Sequence, residues 1–355
     1  DQKEQAELAL SNGGNPWCVA KGLISGEKKA TLPLHVNGEP VIDDGDKADI
    51  FNKFFIQKVN DLRERVDKNL TEDPLRQLRK KFATKNLRFQ VRKIRVDEVE
   101  KILSRMKRSR SSGLDGISSE LIRPVIKIIA PALTDVINSS FQEGTFPHIY
   151  KCAKVLPVYK NKGDKKDPSS YRPISNLSLF GKCQEIAMDL QLKEYCEKYG
   201  IFGSHQHGFR RSRSTTTALL TTITRLRNER KKKFRAVLLY DLSAAYDILP
   251  KELLLEKADI MGIRGRELMW LSSYLSGRTQ VVQVNEAMSS ETPLDTGIPQ
   301  GSSISCLIFA LYVGDAEMWV DQSLVVAYAD DTMLLIEADS LDDLKAKTKT
   351  EGERL

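Results

Sequence analysis

The sequence predicts an α+β chain, on three observations. Stretches with apolar residues at helical spacing dominate the first two thirds, as in "DEVEKILSRM" (97–106) and residues 121–143. Two segments, "AKVLPVYKNKGDKKDPSSYRPIS" (153–175) and "VVAYADDTMLL" (325–335), set strand-like runs about a polar break. Both read as hairpins, which pair antiparallel by construction. A third run, "AVLLY" (236–240), reads as a buried strand that stops at an aspartate. With 355 residues, 41% hydrophobic and 29% charged, the chain can bury a sizeable core.

In chain order, "NGEPVIDDGDKADIFNKFFIQKV" (37–59) offers a turn, an acidic helix start, and Ile50, Phe54 and Val59 at helical spacing. "LRQLRKKFATKNLRFQVRKIR" (75–95) is markedly basic and reads equally as a solvated helix face or a nucleic-acid contact. Together, residues 1–92 read as an N-terminal extension or linker. "SSGLDGISSELI" (111–122) is a glycine-rich loop feeding a helix; it matches neither GxxxxGKS nor GxGxxG, so a phosphate cradle is weakly signalled. "GTFP" ends the helix of 121–143 with turn chemistry. Residues 181–199 and 214–229 are helical. "TQVVQVNEAMSSETPLDTGIPQGSSIS" reads as strand, loop, strand and glycine turn, with an apolar helix from about 303.

Composition excludes several classes. Five scattered cysteines without a CxxC and four histidines without an HExxH give no zinc spacing and no disulfide framework, and they suit a reducing, intracellular setting. No apolar stretch nears the ~20 residues of a membrane span, and the charged N-terminus has no signal-peptide core. A net charge of +7 leans toward a polyanionic partner. The chain does not begin with Met and stops in what reads as mid-helix, as expected of a fragment of a longer polypeptide.

The chemistry lies in the aspartates. Asp241 ends one buried strand, and Asp330 and Asp331 sit at the tip of the last hairpin. A lone strand-end aspartate is usually a turn residue or cap, and an adjacent pair at a hairpin tip is common turn chemistry. The apolar flanks and the matching Asp241 favour a functional set. If the two elements share a sheet, three carboxylates meet at one edge, where like charges resist joint ionisation. A pair of Mg²⁺ ions relieves that conflict, because hard carboxylate oxygens suit magnesium and phosphates complete its ligands.

"YADD" between apolar flanks, "LLYDLSAAYD", "TGIPQGSSIS", "YRPIS" and "SSGLDGISSELI" together resemble the reverse transcriptases of non-LTR (LINE-type) retrotransposons, over about residues 97–337. The resemblance implies a right-hand polymerase with helical fingers over 93–235 and an antiparallel-sheet palm over 236–355. Nothing after 337 resembles a complete thumb. It implies RNA-templated DNA synthesis from dNTPs on a DNA primer, in nucleus and cytoplasm, with no membrane partner. Asp241, Asp330 and the Leu242 carbonyl would bind two Mg²⁺ ions, with Asp331 completing the set. Tyr246 would be the steric gate against a ribose 2′-OH; the plainer reading is a core tyrosine. Ala244 and Ala245 amides would face the triphosphate, and Arg172 would grip it bidentately. Lys160 is the second cation, in competition with Lys154, Lys162 and Lys165. Gln300 would touch the incoming nucleotide, and Gly301 would let the backbone pass close to the template base. Arg210, Arg211 and Arg213 would meet template phosphates, or else cap a helix start. "RLRNERKKKFR" (225–235) is a duplex contact or a solvated helix end. Two departures from the family stand out: Cys306 replaces the usual proline, and the gate is Tyr rather than Phe.

Rival readings remain. A catalytically silent nucleic-acid-binding fragment of a decayed retroelement would keep the basic surface without the reaction. A two-metal phosphodiesterase would leave Tyr246 and the PQG loop without purpose. A group II intron-type enzyme is the nearest alternative relative. Oligomeric state is not legible.

Overall fold

The computed structural model describes residues 34–36, 38–66, 72–227, 234–242, 244–321 and 323–355. Its elements begin with a short antiparallel pair, β1 (Leu34–Val36) and β2 (Glu39–Val41), followed by helix α1 (Asp44–Val66). Helices α2 (Arg76–Phe82), α3 (Val96–Arg105), α4 (Ser119–Ile122) and α5 (Ile126–Glu143) follow. Strands β3 (Cys152–Tyr159) and β4 (Tyr171–Asn176) precede α6 (Leu179–Tyr199) and α7 (Thr215–Arg227). Then come β5 (Phe234–Tyr240), α8 (Lys251–Ile260), α9 (Arg266–Leu275), β6 (Arg278–Val284), β7 (Ala287–Met288) and β8 (Thr292–Leu294). The chain closes with α10 (Ser305–Tyr312), β9 (Leu324–Tyr328), β10 (Asp331–Ala338) and α11 (Leu341–Arg354).

Helices and sheets are mixed as the α+β expectation requires. A five-stranded sheet runs β4-β3-β6-β7, with β8 also on β6. The 153–175 hairpin forms as antiparallel β3–β4, while β3 pairs parallel with β6. The second sheet, β5-β10-β9, is antiparallel throughout. Among the described residues, no helix is long and apolar enough to cross a membrane.

Local chemistry sets the helix bounds. In α3, Val99, Ile102 and Leu103 recur at three- and four-residue spacing and are buried. The Glu98 carboxylate turns back to accept the Arg95 amide at 3.0 Å, satisfying a donor the helix leaves open. The single helix expected over 121–143 is broken into α4, a 3₁₀ turn at Arg123–Val125 and α5. Pro124 starts that turn and has no N–H to give to a continuous ladder. Gly144 then ends α5 in the left-handed region, at φ 66°. The sequence reading assigned no element to α8 and α9, although the positions α9 buries, Glu267, Trp270, Leu271, Tyr274 and Leu275, fall at three- and four-residue spacing. Both helices pack into the main core through Leu254, Ala258, Trp270 and Tyr274.

Three cores result. The largest joins α2, α3, α5, α6, α8, α9 and α10, with Trp270 stacked on Tyr274 at 5.7 Å. A second lies between α1 and the five-stranded sheet, where Phe51 and Phe55 meet Val155, Leu177 and Val282. Part of the N-terminal extension thus covers a sheet face. The third sits under β5-β10-β9 and is closed by α11 through Leu344. Leu334 lies in it, fully buried.

Replacing Leu334 with Ala should destabilise the chain by about 2–5 kcal/mol, the range for a buried leucine that leaves a cavity. Urea unfolding checks this; a loss below 0.5 kcal/mol (about the scale of a surface change) would contradict the packing described.

Candidate active site

The β5–β10 register decides what the sheet presents at its end. Thr332 pairs with Tyr240 and Met333 with Leu239, so the next position places Asp331 opposite Asp241. On the other side, Asp331 pairs with Tyr328, leaving Ala329 and Asp330 as a two-residue turn. Ala329 has φ 59° while Asp330 keeps a negative φ, the pattern of a type II′ hairpin turn. Glycine normally fills that first position; an alanine there carries strain of roughly 1–2 kcal/mol. Asp241 and Asp331 are exposed and Asp330 half-buried. Among the described residues none of the three carboxylates makes a hydrogen bond or ion pair.

Their backbones share one sheet end, but the side chains do not converge. Among the described residues, no three Asp, Glu, His or Cys side chains are grouped to hold a metal ion. The donor set nevertheless fits a hard divalent cation: carboxylates of like charge, without a competing partner among the described residues, on strands whose spacing the ladder fixes.

A second strained alanine follows Asp241. Ala244 has φ 55°, and its carbonyl accepts from Asp247 at 2.8 Å and Ile248 at 3.1 Å. The Leu242 carbonyl accepts the Ala245 amide at 3.3 Å, so these two groups are used within the turn rather than left free. The Tyr246 ring stacks on Phe309 of α10, with centroids 4.7 Å apart, and burial pushes its hydroxyl pKa far above the usual tyrosine range. The ring is half-buried and packs against the main core.

The PQG loop is stitched to this turn. Ile298 donates to the Tyr246 carbonyl at 2.8 Å, and Thr296 Oγ1 to the Asp247 carbonyl at 3.2 Å. Gly297, at φ 75°, passes so close that a Cβ would lie 2.3 Å from the Asp247 oxygen. Gln300 does not point free: its Nε2 donates to both carboxylate oxygens of Asp247, at 2.8 and 2.7 Å. Burial raises the Asp247 pKa, and Gln300 pulls it back. Gly301, at φ 83°, presses on β4, where a Cβ would meet the Ser175 carbonyl at 2.8 Å. Three motifs distant in sequence thus form one wall.

That wall lines a cavity of about 130 Å³ whose other side is α1. Lys58, Tyr171, Ala244, Asp247 and Gln300 all face it. Arg172 is exposed on β4 opposite Val158, without a hydrogen bond or ion pair among the described residues. Lys160 bonds the Ser169 carbonyl at 2.6 Å. Desolvation, and then the nearby Lys58, Arg172 and Lys162 charges, depress its pKa. Lys154 instead leans on Ser112 Oγ at 3.4 Å, and Lys165 lies over the Tyr159 ring.

The candidate template arginines divide. Arg210 is spent: its guanidinium forks onto Glu197 at 2.9 and 2.7 Å and donates to the Gly203 and Gln206 carbonyls. Arg210 in turn holds Glu197 below the usual glutamate range. Arg211 is exposed and Arg213 half-exposed, and neither guanidinium has a hydrogen bond or ion pair among the described residues. In the 225–235 stretch, Arg225 and Arg235 pair with Glu337, and residues 228–233 lie outside the described residues. In the glycine-rich loop, a Cβ on Gly113 would meet Ser178 N at 2.9 Å, so the loop closes on the chain itself.

Sequence reasoning overlooked Asp247 and Lys58. Asp247 was visible as the last residue of "AAYD". Nothing local pointed to Lys58, which reaches the cavity only because α1 docks on the sheet.

The family model described as reverse transcriptase (RNA-dependent DNA polymerase) matches residues 161–353, more than half of the chain. The chain belongs to the reverse transcriptase family. It is 27% identical over 338 residues to the putative 115 kDa protein in type-1 retrotransposable element R1DM of Drosophila melanogaster, covering 94% of this chain and 30% of that protein. In the same organism it is 29% identical over 262 residues to the probable RNA-directed DNA polymerase from transposon BS, covering 69% of this chain and 28% of that protein. It is 25% identical over 256 residues to the RNA-directed DNA polymerase from mobile element jockey, covering 70% and 28%. The resemblance to non-LTR retrotransposon enzymes therefore stands. The chain spans less than a third of the length of these relatives.

The Asp247–Gln300 pair yields a pH test. The folded pKa of Asp247 lies above its ordinary value, so the stability tied to it is present at low pH and falls as pH rises between the two. Gln300→Ala removes the group that lowers that pKa, widening the window upward. The variant should lose about 1–3 kcal/mol at neutral pH and less at pH ~4, near the ordinary carboxylate pKa. Urea unfolding across pH measures this; an equal loss at both ends would refute the pairing.

Proposed function

We propose that this chain is the catalytic portion of an RNA-directed DNA polymerase, with fingers over 93–235 and palm over 236–355. The observation that carries the proposal is the register placing Asp241 opposite Asp331 beside the Asp330 turn. Asp241, Asp330 and Asp331 would hold two Mg²⁺ ions. Bound there, magnesium supplies an activated primer hydroxyl and neutralises charge on the departing pyrophosphate.

The remaining residues bind and orient. Arg172, Lys160 and Lys58 form a cationic wall for the triphosphate of a dNTP. Tyr246, stacked on Phe309, cannot swing away, and its ring would occupy the space of a ribose 2′-OH. Gln300, held by Asp247, fixes the PQG loop beside that ring rather than reaching out alone. Arg211 and Arg213 are the free cations for an RNA template backbone, and their contacts would weaken steeply with salt. A DNA primer would present its 3′-hydroxyl to the sheet end. The chain's work is positioning and electrostatics.

Primer extension on an RNA template with Mg²⁺ and dNTPs tests this. The parent should extend, while Asp241→Asn and Asp330→Asn should each lose at least ~100-fold, as several kcal/mol of charge stabilisation goes. Synthesis retained by either variant sinks the metal assignment. Salt-sensitive RNA binding that ignores dNTP, without synthesis, would favour a silent binding module. Tyr246→Ala should reduce discrimination against ribonucleotides by about 10- to 100-fold. Unchanged discrimination would remove Tyr246 from the gate.

A further inference from the structure

The turn bearing Asp330 is held from outside its own hairpin. Residues 205–208 run parallel along the free edge of β9. The Ala327 amide donates to the His205 carbonyl at 3.0 Å, and the His207 amide donates to the Ala327 carbonyl at 2.7 Å. The Gln206 carboxamide oxygen then accepts two amides at once, Ala329 at 3.2 Å and Gly208 at 2.8 Å. Gln206 and Ala329 are only 5% and 7% exposed, so a lost partner there is not cheaply replaced by water. Ala329 is the residue with φ 59°, directly before Asp330. Gly208 is what permits the approach: a Cβ there would lie 2.3 Å from the Ala329 nitrogen. The Phe209 ring also faces the Tyr328 ring, at 6.4 Å.

We propose that Gln206 is a positioning residue for Asp330 and Asp331. Its side-chain oxygen holds the strained Ala329 peptide, and so fixes where the two carboxylates leave the hairpin. The inference rests on the polymerase reading for its kinetic consequence, though not for its structural one. The hairpin supplies no partner for the Ala329 amide other than this side chain among the described residues. Without the acceptor, the alanine has no reason to keep a conformation that L-residues rarely adopt.

The test compares the parent with Gln206→Met, which keeps the length and loses the acceptor, and Gln206→Glu, which keeps an acceptor at the same reach. Gly208→Ala serves as a second variant, pushing the turn away with Gln206 intact. Hydrogen exchange of 325–331 should speed up at least ~10-fold in Gln206→Met, with 341–354 unchanged. In primer extension kcat should fall on the order of 10- to 100-fold, with KM for dNTP within about twofold. Gln206→Glu should restore both, and Gly208→Ala should shift both as Gln206→Met does. Unchanged exchange in 325–331 overturns the proposal. So does a fall in kcat matched by the dNTP KM and not restored by Glu. A parent without synthesis contradicts the polymerase reading alone. Exchange then decides on Gln206: faster in Gln206→Met supports it, and unchanged overturns it.

Discussion

The antiparallel pairing of β5 with β10 is the constraint on which the rest of the site depends. Its ladder runs from Phe234↔Ala338 to Thr332↔Tyr240 without a bulge. A shift of one residue would turn each strand inside out, moving Leu334 and Ile336 from the core to the opposite face. The buried side chains therefore hold the register, and the register holds the aspartates. The placement of the aspartates is a by-product of core packing. The strand ends carry charge because the apolar pattern stops there.

Around that sheet end, backbone and side-chain hydrogen bonds share the fastening. Two alanines with positive φ, Ala244 and Ala329, bracket the carboxylates; Ala244 is held by bonds within its own turn and Ala329 by Gln206 from a neighbouring segment. Gly297 and Gly208 make the closest approaches to those turns. Close backbone packing of this kind tolerates no added carbon. The resulting wall is continuous from β4 through the PQG loop to the turn after Asp241, and α1 closes its far side.

Legibility from sequence followed the range of each interaction. The hairpins were legible because their signals are local: apolar runs about a polar break. The aspartates stood out for the same reason. Pairing partners far apart in the chain were not legible. Gln300 read as a free contact, yet its amide is bound to Asp247, and Arg210 read as a template cation, yet Glu197 takes its fork. Lys58 carried no signal, since only the docking of α1 brings it to the cavity. Helices α8 and α9 escaped because their faces are mixed: Lys251, Lys257 and Glu267 are buried while Met269 is exposed, which blurs the apolar pattern that periodicity detects.

The most direct measurement is where a redox-active divalent ion sits. Fe²⁺ with peroxide cuts backbone beside its own binding site, without requiring turnover. The account predicts cleavage at two places in one chain, near Asp241 and near Asp330–Asp331, both suppressed by excess Mg²⁺. Cleavage at only one of them, or elsewhere and indifferent to Mg²⁺, would contradict it.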